Sequence, residues 1–186
     1  MKHVTFLACA LLGIPFASCS QNTKELKTME TQKKTLVVYF SATGTTKAAA
    51  EKIAKATNGD IAEIEPVEAY TDADLDWRNE KSRSSVEMKD SKSRPAYKPI
   101  DVKQYEVIYI GFPIWWNEAP RIINSFIESS NLDGKTLVPF ATSGGSTIAK
   151  SEQNLKKAYP SLKWKEGKLL NNVSQKKLEE WVRKSL

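Results

Sequence analysis

Short apolar runs alternate with segments of helical periodicity along most of the chain, and this alternation restricts the fold more than any other feature. The apolar runs predict five strands, at residues 36–40, 61–64, 107–111, 137–141 and 162–169. Apolar side chains recur at helical spacing in three segments between or after them: Ala49, Ile53 and Ala56; Ile122, Ile123, Phe126 and Ile127; Leu178, Trp181 and Val182. Strands that alternate with helices build a mainly parallel sheet with helices on both faces. The sequence therefore predicts one three-layer α/β domain over residues 35–186.

Turn-forming residues agree with most of these boundaries. Gly59 is expected to end the first helix, Pro120 suits the first turn of the third, and Ser174 can cap the last. Pro139 disagrees, because it falls inside an interior strand and removes a hydrogen-bond donor there. We therefore expect a bulge or an irregular pairing at Pro139.

The stretch from residue 70 to residue 103 carries the weakest pattern. Residues 72–80 predict one helix, whereas residues 81–99 are charged and rich in serine, which predicts a long excursion. Two interpretations of the excursion stay open: a flexible surface loop, or a flap that partly covers a ligand.

The N-terminus has the layout of a secretory signal peptide over residues 1–18. A positively charged start precedes an apolar run at residues 4–12, which a glycine and a proline then interrupt. The run is shorter than the roughly 20 residues that a helix needs to cross a bilayer. Ala17 and Ser18 directly before Cys19 resemble the cleavage box of bacterial lipoproteins, which implies lipidation of Cys19.

Export and anchoring follow from that interpretation. Residues 19–34 are polar and charged, which predicts a solvated tether between the lipid and the domain. We expect the protein on the periplasmic or cell-surface side of a bacterial membrane, held there by a lipid at Cys19. The alternatives are cleavage with release, and a permanent helical anchor.

Cysteine and histidine are confined to the N-terminus, at His3, Cys9 and Cys19. Cleavage before Cys19 would leave the folded domain with neither residue type. Cysteine nucleophiles, disulfides, Ser-His-Asp triads and the usual His or Cys zinc sites are thereby excluded. A bound cofactor must then supply most of any chemistry.

The chain is basic, with 28 Lys and Arg against 22 Asp and Glu and a formal net charge of +6. Removing residues 1–18 takes away one lysine and leaves 27 against 22, a net of +5. The basic stretches lack regularly interleaved aromatic residues, so no nucleic-acid role is expected. An acidic partner or an anionic membrane surface fits this charge better.

A turn rich in hydroxyl groups joins the first strand to the first helix. It consists of Ser41, Ala42, Thr43, Gly44, Thr45 and Thr46. Unpaired N–H groups and the positive end of the helix dipole let such a turn bind a phosphate dianion, with hydroxyls as further donors. The Walker A spacing and the Gly-x-Gly-x-x-Gly dinucleotide fingerprint are both absent. A simple helix cap is the alternative, although it would explain one hydroxyl better than four.

Two further loops follow the third and fourth strands. The first contains Pro113, Ile114, Trp115, Trp116 and Asn117, and the second contains Thr142, Ser143, Gly144 and Gly145. Two adjacent tryptophans in a loop are costly to leave in water unless something flat covers one of them. Packing of both indoles against neighbouring helices is the alternative.

These motifs resemble those of the flavodoxin family over residues 35–186. Ser-x-Thr-Gly-x-Thr after a first strand resembles its phosphate loop, and Gly-Phe-Pro-Ile-Trp-Trp with Pro-Phe-Ala-Thr-Ser-Gly-Gly-Ser resembles the flavin loops of one subfamily. The resemblance implies a flavodoxin-like five-stranded parallel sheet of order 2-1-3-4-5, whose first, third and fourth strands end side by side. It also implies flavin mononucleotide (FMN) as the cofactor, with residues 41–46 on the phosphate.

By the same resemblance, Trp115 is the candidate for stacking on the isoalloxazine ring. Pro113, Trp116 and Asn117 would surround the ring, and residues 142–145 would lie against its polar edge. Similar proteins often have glycine at the position of Asn117, and shuttle flavodoxins are typically acidic, so this chain departs from them in both respects.

Three hypotheses about function remain. The leading one is an exported FMN-binding electron carrier. The sequence does not identify its redox partner, but the basic surface favours an acidic one. The alternatives are an FMN-dependent NAD(P)H quinone or nitro reductase, and a cofactor-free adaptor module of the same shape.

Overall fold

The strands of residues 33–186, the part of the chain that this computed structural model describes, form one sheet. In that part, six strands run parallel: β1 (Thr35–Tyr39), β2 (Asp60–Glu63), β3 (Val107–Pro113), β4 (Thr136–Thr142), β5 (Lys163–Trp164) and β6 (Lys168–Leu169). The order is β2-β1-β3-β4-β5, and β6 also pairs with β4. The predicted flavodoxin-like sheet order is therefore confirmed.

Helices accompany the strands in the alternation that the sequence predicts. They are α1 (Thr45–Thr57), α2 (Arg83–Lys89), α3 (Arg121–Ser129), α4 (Ala149–Ala158) and α5 (Gln175–Ser185). Successive β3 side chains enter two different cores, because neighbouring side chains of a strand point to opposite faces. Tyr109 packs with α1 and α5, and the Trp181 ring lies edge-on to it at 5.6 Å. Ile110 packs on the other face with Phe126 of α3.

A close approach between two central strands depends on Gly111 of β3. A Cβ at this position would lie 2.1 Å from Cζ of the fully buried Phe140 of β4. The Phe140 ring therefore occupies the space that any side chain at position 111 would need.

The helix boundaries differ from the prediction by one residue at α1. Asn58 takes the left-handed conformation after this helix, with φ 49°, where the sequence analysis expects Gly59 to end it. Gly59 instead lies against β1, since a Cβ there would come within 2.9 Å of the Thr35 carbonyl oxygen. Ser174 directly precedes α5 as predicted, although its side chain forms no cap hydrogen bond. Pro120 lies one residue before α3 rather than in its first turn.

The last predicted strand is split into β5 and β6 opposite Pro139. In β4, the Leu137 carbonyl accepts a hydrogen bond from the Lys165 N–H, and the Ala141 carbonyl accepts one from the Leu170 N–H, at 2.8 Å each. Pro139 lies midway between Leu137 and Ala141, and alternate residues of a strand direct their backbone groups to the same neighbouring strand. The position where Pro139 lacks an N–H therefore also faces the β5 and β6 side of β4. Residues 165–167 therefore bulge opposite residues 138–139. The expected irregularity is found, but in the strand beside β4 rather than in β4 itself.

The helix predicted at residues 72–80 is wrong, because the structure has turns there. The side chains of Asp76 and Asn79 accept hydrogen bonds from backbone N–H groups two residues further on, at 3.1 and 3.0 Å. Such local bonds compete with helical ones. The helix of this region is α2, which begins after Ser82, and the Ser82 hydroxyl accepts from the Ser85 N–H at 3.3 Å.

The N-terminal predictions lie outside the described residues. They comprise the signal peptide, the lipidation of Cys19 and nearly all of the tether. Within residues 33–186, none of the helices has the length and apolar character needed to span a membrane.

Candidate functional site

Three loops meet at the edge of the sheet where β1, β3 and β4 end side by side. A cavity of about 270 Å³ lies there and includes Asn171, which the sequence analysis missed. Eight predicted residues also line it: Thr43, Thr45, Pro113, Ile114, Trp115, Thr142, Ser143 and Gly144. Seven predicted residues adjoin these in sequence without lining the cavity: Ser41, Ala42, Gly44, Thr46, Trp116, Asn117 and Gly145. All three predicted loops therefore contribute to one cavity.

The start of α1 offers unpaired backbone donors to this cavity. Gly44 precedes the helix with φ 83°, and no side chain caps it. The helical ladder starts with the bond from Ala48 N–H to the Gly44 carbonyl, at 3.0 Å, so the N–H groups of Thr45, Thr46 and Lys47 precede it. Such groups, together with the helix dipole, attract an anion.

Ser41 adds a donor of another kind. Its hydroxyl oxygen is buried and has no hydrogen-bond partner among residues 33–186. A buried polar group without a partner costs about 1–3 kcal/mol, so this position favours a ligand that accepts a hydrogen bond. The hydroxyls of Thr43 and Thr45 lie 3.4 Å apart on the exposed side of the same turn.

Thr46 has a different role from its neighbours. Its hydroxyl is buried and shares a 2.8 Å hydrogen bond with the hydroxyl of Thr142 at the end of β4. This bond joins the first loop to the third. Thr46 therefore positions the turn, and its side chain is already paired.

The loop after β3 is a tight two-residue turn. Trp115 and Glu118 exchange two backbone hydrogen bonds, of 3.0 and 2.8 Å, and Trp116 and Asn117 between them have φ values of 48° and 63°. This geometry is a type I′ turn, in which Asn and Gly are favoured. A bulky residue with positive φ is strained, and such strain concentrates at functional sites. Trp116 is held in this way while 48% exposed.

Trp115 is fixed by two other aromatic rings. Its ring lies 5.6 Å from those of Phe40 and Tyr70, at interplanar angles of 88° and 75°. Edge-to-face pairs of this kind are favourable. The indole therefore has a defined orientation while it forms a wall of the cavity.

Tyr70 is in turn held by α2. Its hydroxyl donates to Glu87 at 2.5 Å, and the Arg83 guanidinium, which also pairs with Glu87 at 2.7 Å, lies 4.0 Å from the ring centroid. Burial, reinforced by the bond to Glu87, raises the pKa of Tyr70, so the phenol stays protonated at neutral pH. Tyr70 was not among the predicted site residues, because it lies in the stretch with the weakest sequence pattern.

The loop after β4 is held by its own hydrogen bonds. The Ser143 hydroxyl accepts from the N–H groups of Gly145 and Ser146 at 3.2 and 2.8 Å, and the Ser143 N–H donates to Asn171 Oδ1 at 2.8 Å. A Cβ added to Gly144 or Gly145 would have no atom within 4 Å. The turn therefore keeps its shape and leaves space for a flat group to approach its backbone.

Comparison with models of known protein families matches residues 34–185 to the model described as Flavodoxin. The chain belongs to the flavodoxin family. The match covers the whole sheet and the three loops of the cavity, so the site described above lies within the matched residues.

Two solved structures resemble this chain closely, and a third shares its fold. A Bacteroides uniformis protein with the provisional name of flavoprotein is 56% identical, with a TM-score of 0.79 over 81% of this chain and 98% of that one. A Bacteroides eggerthii protein with the same provisional name is 57% identical, with a TM-score of 0.79 over 81% and 96%. A Lactobacillus acidophilus flavoprotein in complex with FMN shares the fold, at 23% identity and a TM-score of 0.60 over 74% and 93%. No curated protein matches the chain.

The donor set of this flavodoxin suits an anionic, flat ligand better than a metal ion. Within residues 33–186, no three His, Cys, Asp or Glu side chains cluster in a way that could hold a metal. The cavity instead combines hydroxyls, free amides, an indole wall and a glycine turn. These groups fit a phosphate at one end and an aromatic ring at the other.

Proposed function

We propose that this flavodoxin binds FMN non-covalently and transfers electrons. The observation that carries the proposal is the buried, unpartnered hydroxyl of Ser41, on the same turn as the uncapped amides of α1. A phosphate dianion accepts hydrogen bonds from both kinds of donor. The flavoprotein name of the Bacteroides relatives and the FMN complex of the Lactobacillus protein support the same ligand.

The residues of the cavity divide between the two ends of the ligand. Ser41, Thr43 and Thr45 would hold the phosphate, whereas Trp115 and the turn at residues 143–145 would border the isoalloxazine. FMN, when bound, supplies the one- or two-electron redox chemistry that cofactor-dependent proteins obtain from their cofactor. The protein's own contribution is to bind the phosphate, to fix the Trp115 indole and to present backbone N–H groups to the ring edge.

A second cavity supports an additional candidate, an FMN-dependent NAD(P)H quinone or nitro reductase. This cavity of about 280 Å³ shares Ile114 and Trp115 with the first and extends to Trp77. Steady-state oxidation of NAD(P)H with a quinone by the FMN-loaded protein separates the candidates. Turnover supports the reductase, whereas reversible reduction by dithionite without turnover supports the carrier.

The direct test of FMN binding is a visible difference spectrum of the purified protein during parallel titrations with FMN and riboflavin. Riboflavin lacks the phosphate, and each hydrogen bond to a charged group contributes about 1.5–3 kcal/mol. FMN should therefore bind at least about tenfold more tightly than riboflavin. Flat spectra with both ligands would refute the proposal and leave the cofactor-free adaptor.

We further propose export, a lipid anchor at Cys19 and an acidic redox partner. Support comes from the signal-like residues 1–18 and from charge, since residues 149–186 contain ten Lys and Arg against four Asp and Glu. The test is metabolic labelling with palmitate of bacteria that express the full chain or its Cys19→Ala variant. Label in the parent chain alone supports lipidation, and equal labelling of both chains, or of neither, contradicts it.

A further inference from the structure

Two exposed tryptophans border a region that the proposed FMN site does not use. Trp77 is 66% exposed and Trp116 is 48% exposed. Both line two cavities, of about 280 Å³ and 480 Å³. Small-molecule sites fall mostly between about 300 and 1,000 Å³, and large apolar surfaces left in water mark sites of interaction. The region therefore has the size and the surface of a binding site.

The smaller of these cavities adjoins the proposed FMN site. Ile114 and Trp115 line both, and the Ile114 N–H donates to the Thr142 carbonyl at 2.9 Å, which ties this shared wall to β4. Trp115 is also held by Phe40 and Tyr70. The wall is thus held by the backbone at Ile114 and by ring contacts at Trp115, so two ligands could occupy its two cavities at once.

Two basic and two acidic residues line the larger cavity, and the ion pairs among the described residues leave one of the basic residues available for an anionic ligand. Lys89 pairs with Glu80 at 3.0 Å, and Glu118 pairs with Arg121 at 2.8 Å. Arg78, by contrast, is in none of the ion pairs of the described residues. Its guanidinium lies 4.9 Å from the centroid of the Trp77 ring. An arginine stacked on an aromatic ring keeps N–H donors free for an anion.

We propose that Trp77, Arg78 and Trp116 form a second site, which binds a planar aromatic molecule with an anionic substituent. The indoles would contact the ring of the ligand, and the guanidinium would contact its anionic group. This inference deepens the proposed function and rests on it, because the smaller cavity, which shares Trp77 and Trp116 with this site, has Trp115 in common with the proposed FMN site. It also accounts for a strained backbone at Trp116, which presents the indole to the cavity.

The test uses calorimetric titration with naphthalenesulfonate and with naphthalenesulfonamide, which has the same shape without the charge. Trp77→Ala should weaken both ligands by about tenfold, since stacking on an aromatic side chain contributes about 1–3 kcal/mol. Arg78→Gln should weaken the sulfonate alone, by about threefold, as an exposed ion pair contributes up to about 1 kcal/mol. Lys81→Gln, a charge-matched control at an exposed residue outside both cavities, should change neither.

Each other outcome contradicts the inference. Loss of sulfonate preference in Lys81→Gln as much as in Arg78→Gln would indicate a non-specific charge effect. Failure of naphthalenesulfonate to bind the parent protein, or binding unchanged by Trp77→Ala, would remove the site.

Repeating the titrations with FMN-loaded protein separates this inference from the proposed function. Similar naphthalenesulfonate affinity with and without FMN supports two sites. Competition between the two ligands would show that this cavity belongs to the flavin site, and would refute the inference. If FMN itself fails to bind while the Arg78-dependent sulfonate binding persists, the proposed function fails and the second binding site remains.

Discussion

Replacing Ser41 with alanine should have opposite effects on the stability of the FMN-free protein and on its affinity for FMN. The Ser41 hydroxyl oxygen is buried without a hydrogen-bond partner among the described residues. It therefore weakens the free protein, because an unfolded chain would hydrate it. If it donates to the phosphate, the same oxygen strengthens the complex.

The magnitudes follow from these two states. An unpaired buried hydroxyl costs about 1–3 kcal/mol, and its removal leaves a small void, so Ser41→Ala should stabilise the free protein by about 1 kcal/mol. With a urea m-value of about 1–3 kcal/mol/M, the unfolding midpoint should rise by on the order of 0.5 M. Loss of a hydrogen bond to a charged phosphate, about 1.5–3 kcal/mol, should weaken FMN binding about 10- to 100-fold.

Urea unfolding of the FMN-free protein and spectral titration with FMN measure the two effects. Riboflavin affinity should stay within about twofold of the parent, because the lost bond goes to the phosphate. Ser161→Ala is a matched control at an exposed turn before β5, where the strands begin rather than where they end at the cavity. It should change stability by no more than about 0.5 kcal/mol. A lower urea midpoint for Ser41→Ala, or equal loss of FMN and riboflavin binding, would refute the reasoning.

Three other predictions concern the frame of the site. Gly111→Ala should destabilise the protein by on the order of 3 kcal/mol in urea unfolding, since the alanine Cβ would lie 2.1 Å from the Phe140 ring. Adding Phe140→Leu should recover part of this loss. Asn117→Val should cost about 1–2 kcal/mol at φ 63°, whereas Asn117→Gly should be nearly neutral in the same assay. Burial raises the pKa of Tyr159 to about 12 from 10.0, so the unfolded chain ionises first and stability should fall as pH rises from 10 towards 12. Tyr159→Phe should reduce that fall in urea unfolding at successive pH values.

The central strands and the helix faces were predictable because their signals are local. Val107 to Gly111 is a continuous apolar run, as buried parallel strands are, and Phe126 and Leu178 lie on apolar faces of helical period. The three site loops were predictable for a related reason, since the carboxyl ends of neighbouring parallel strands share one edge of the sheet.

The remaining features depend on contacts that no local pattern encodes. Asn171 reaches the site because β6 brings it beside Ser143, 28 residues away in sequence. Tyr70 reaches Trp115 through packing and through its bond to Glu87 of α2. The division of the last strand depends on Pro139 of its neighbour, so its own sequence could only suggest one strand.

Departures from local structural rules coincide at one edge of the sheet, and this coincidence has a physical meaning. Ser41 buries an unpaired hydroxyl, and Trp116 has a positive φ. Each departure lowers stability by roughly 1 kcal/mol, and the fold itself requires neither. A phosphate that accepts from Ser41, and an aromatic ring that covers Trp116, would recover this free energy on binding. The residues that weaken the free fold are therefore those expected to strengthen its complexes.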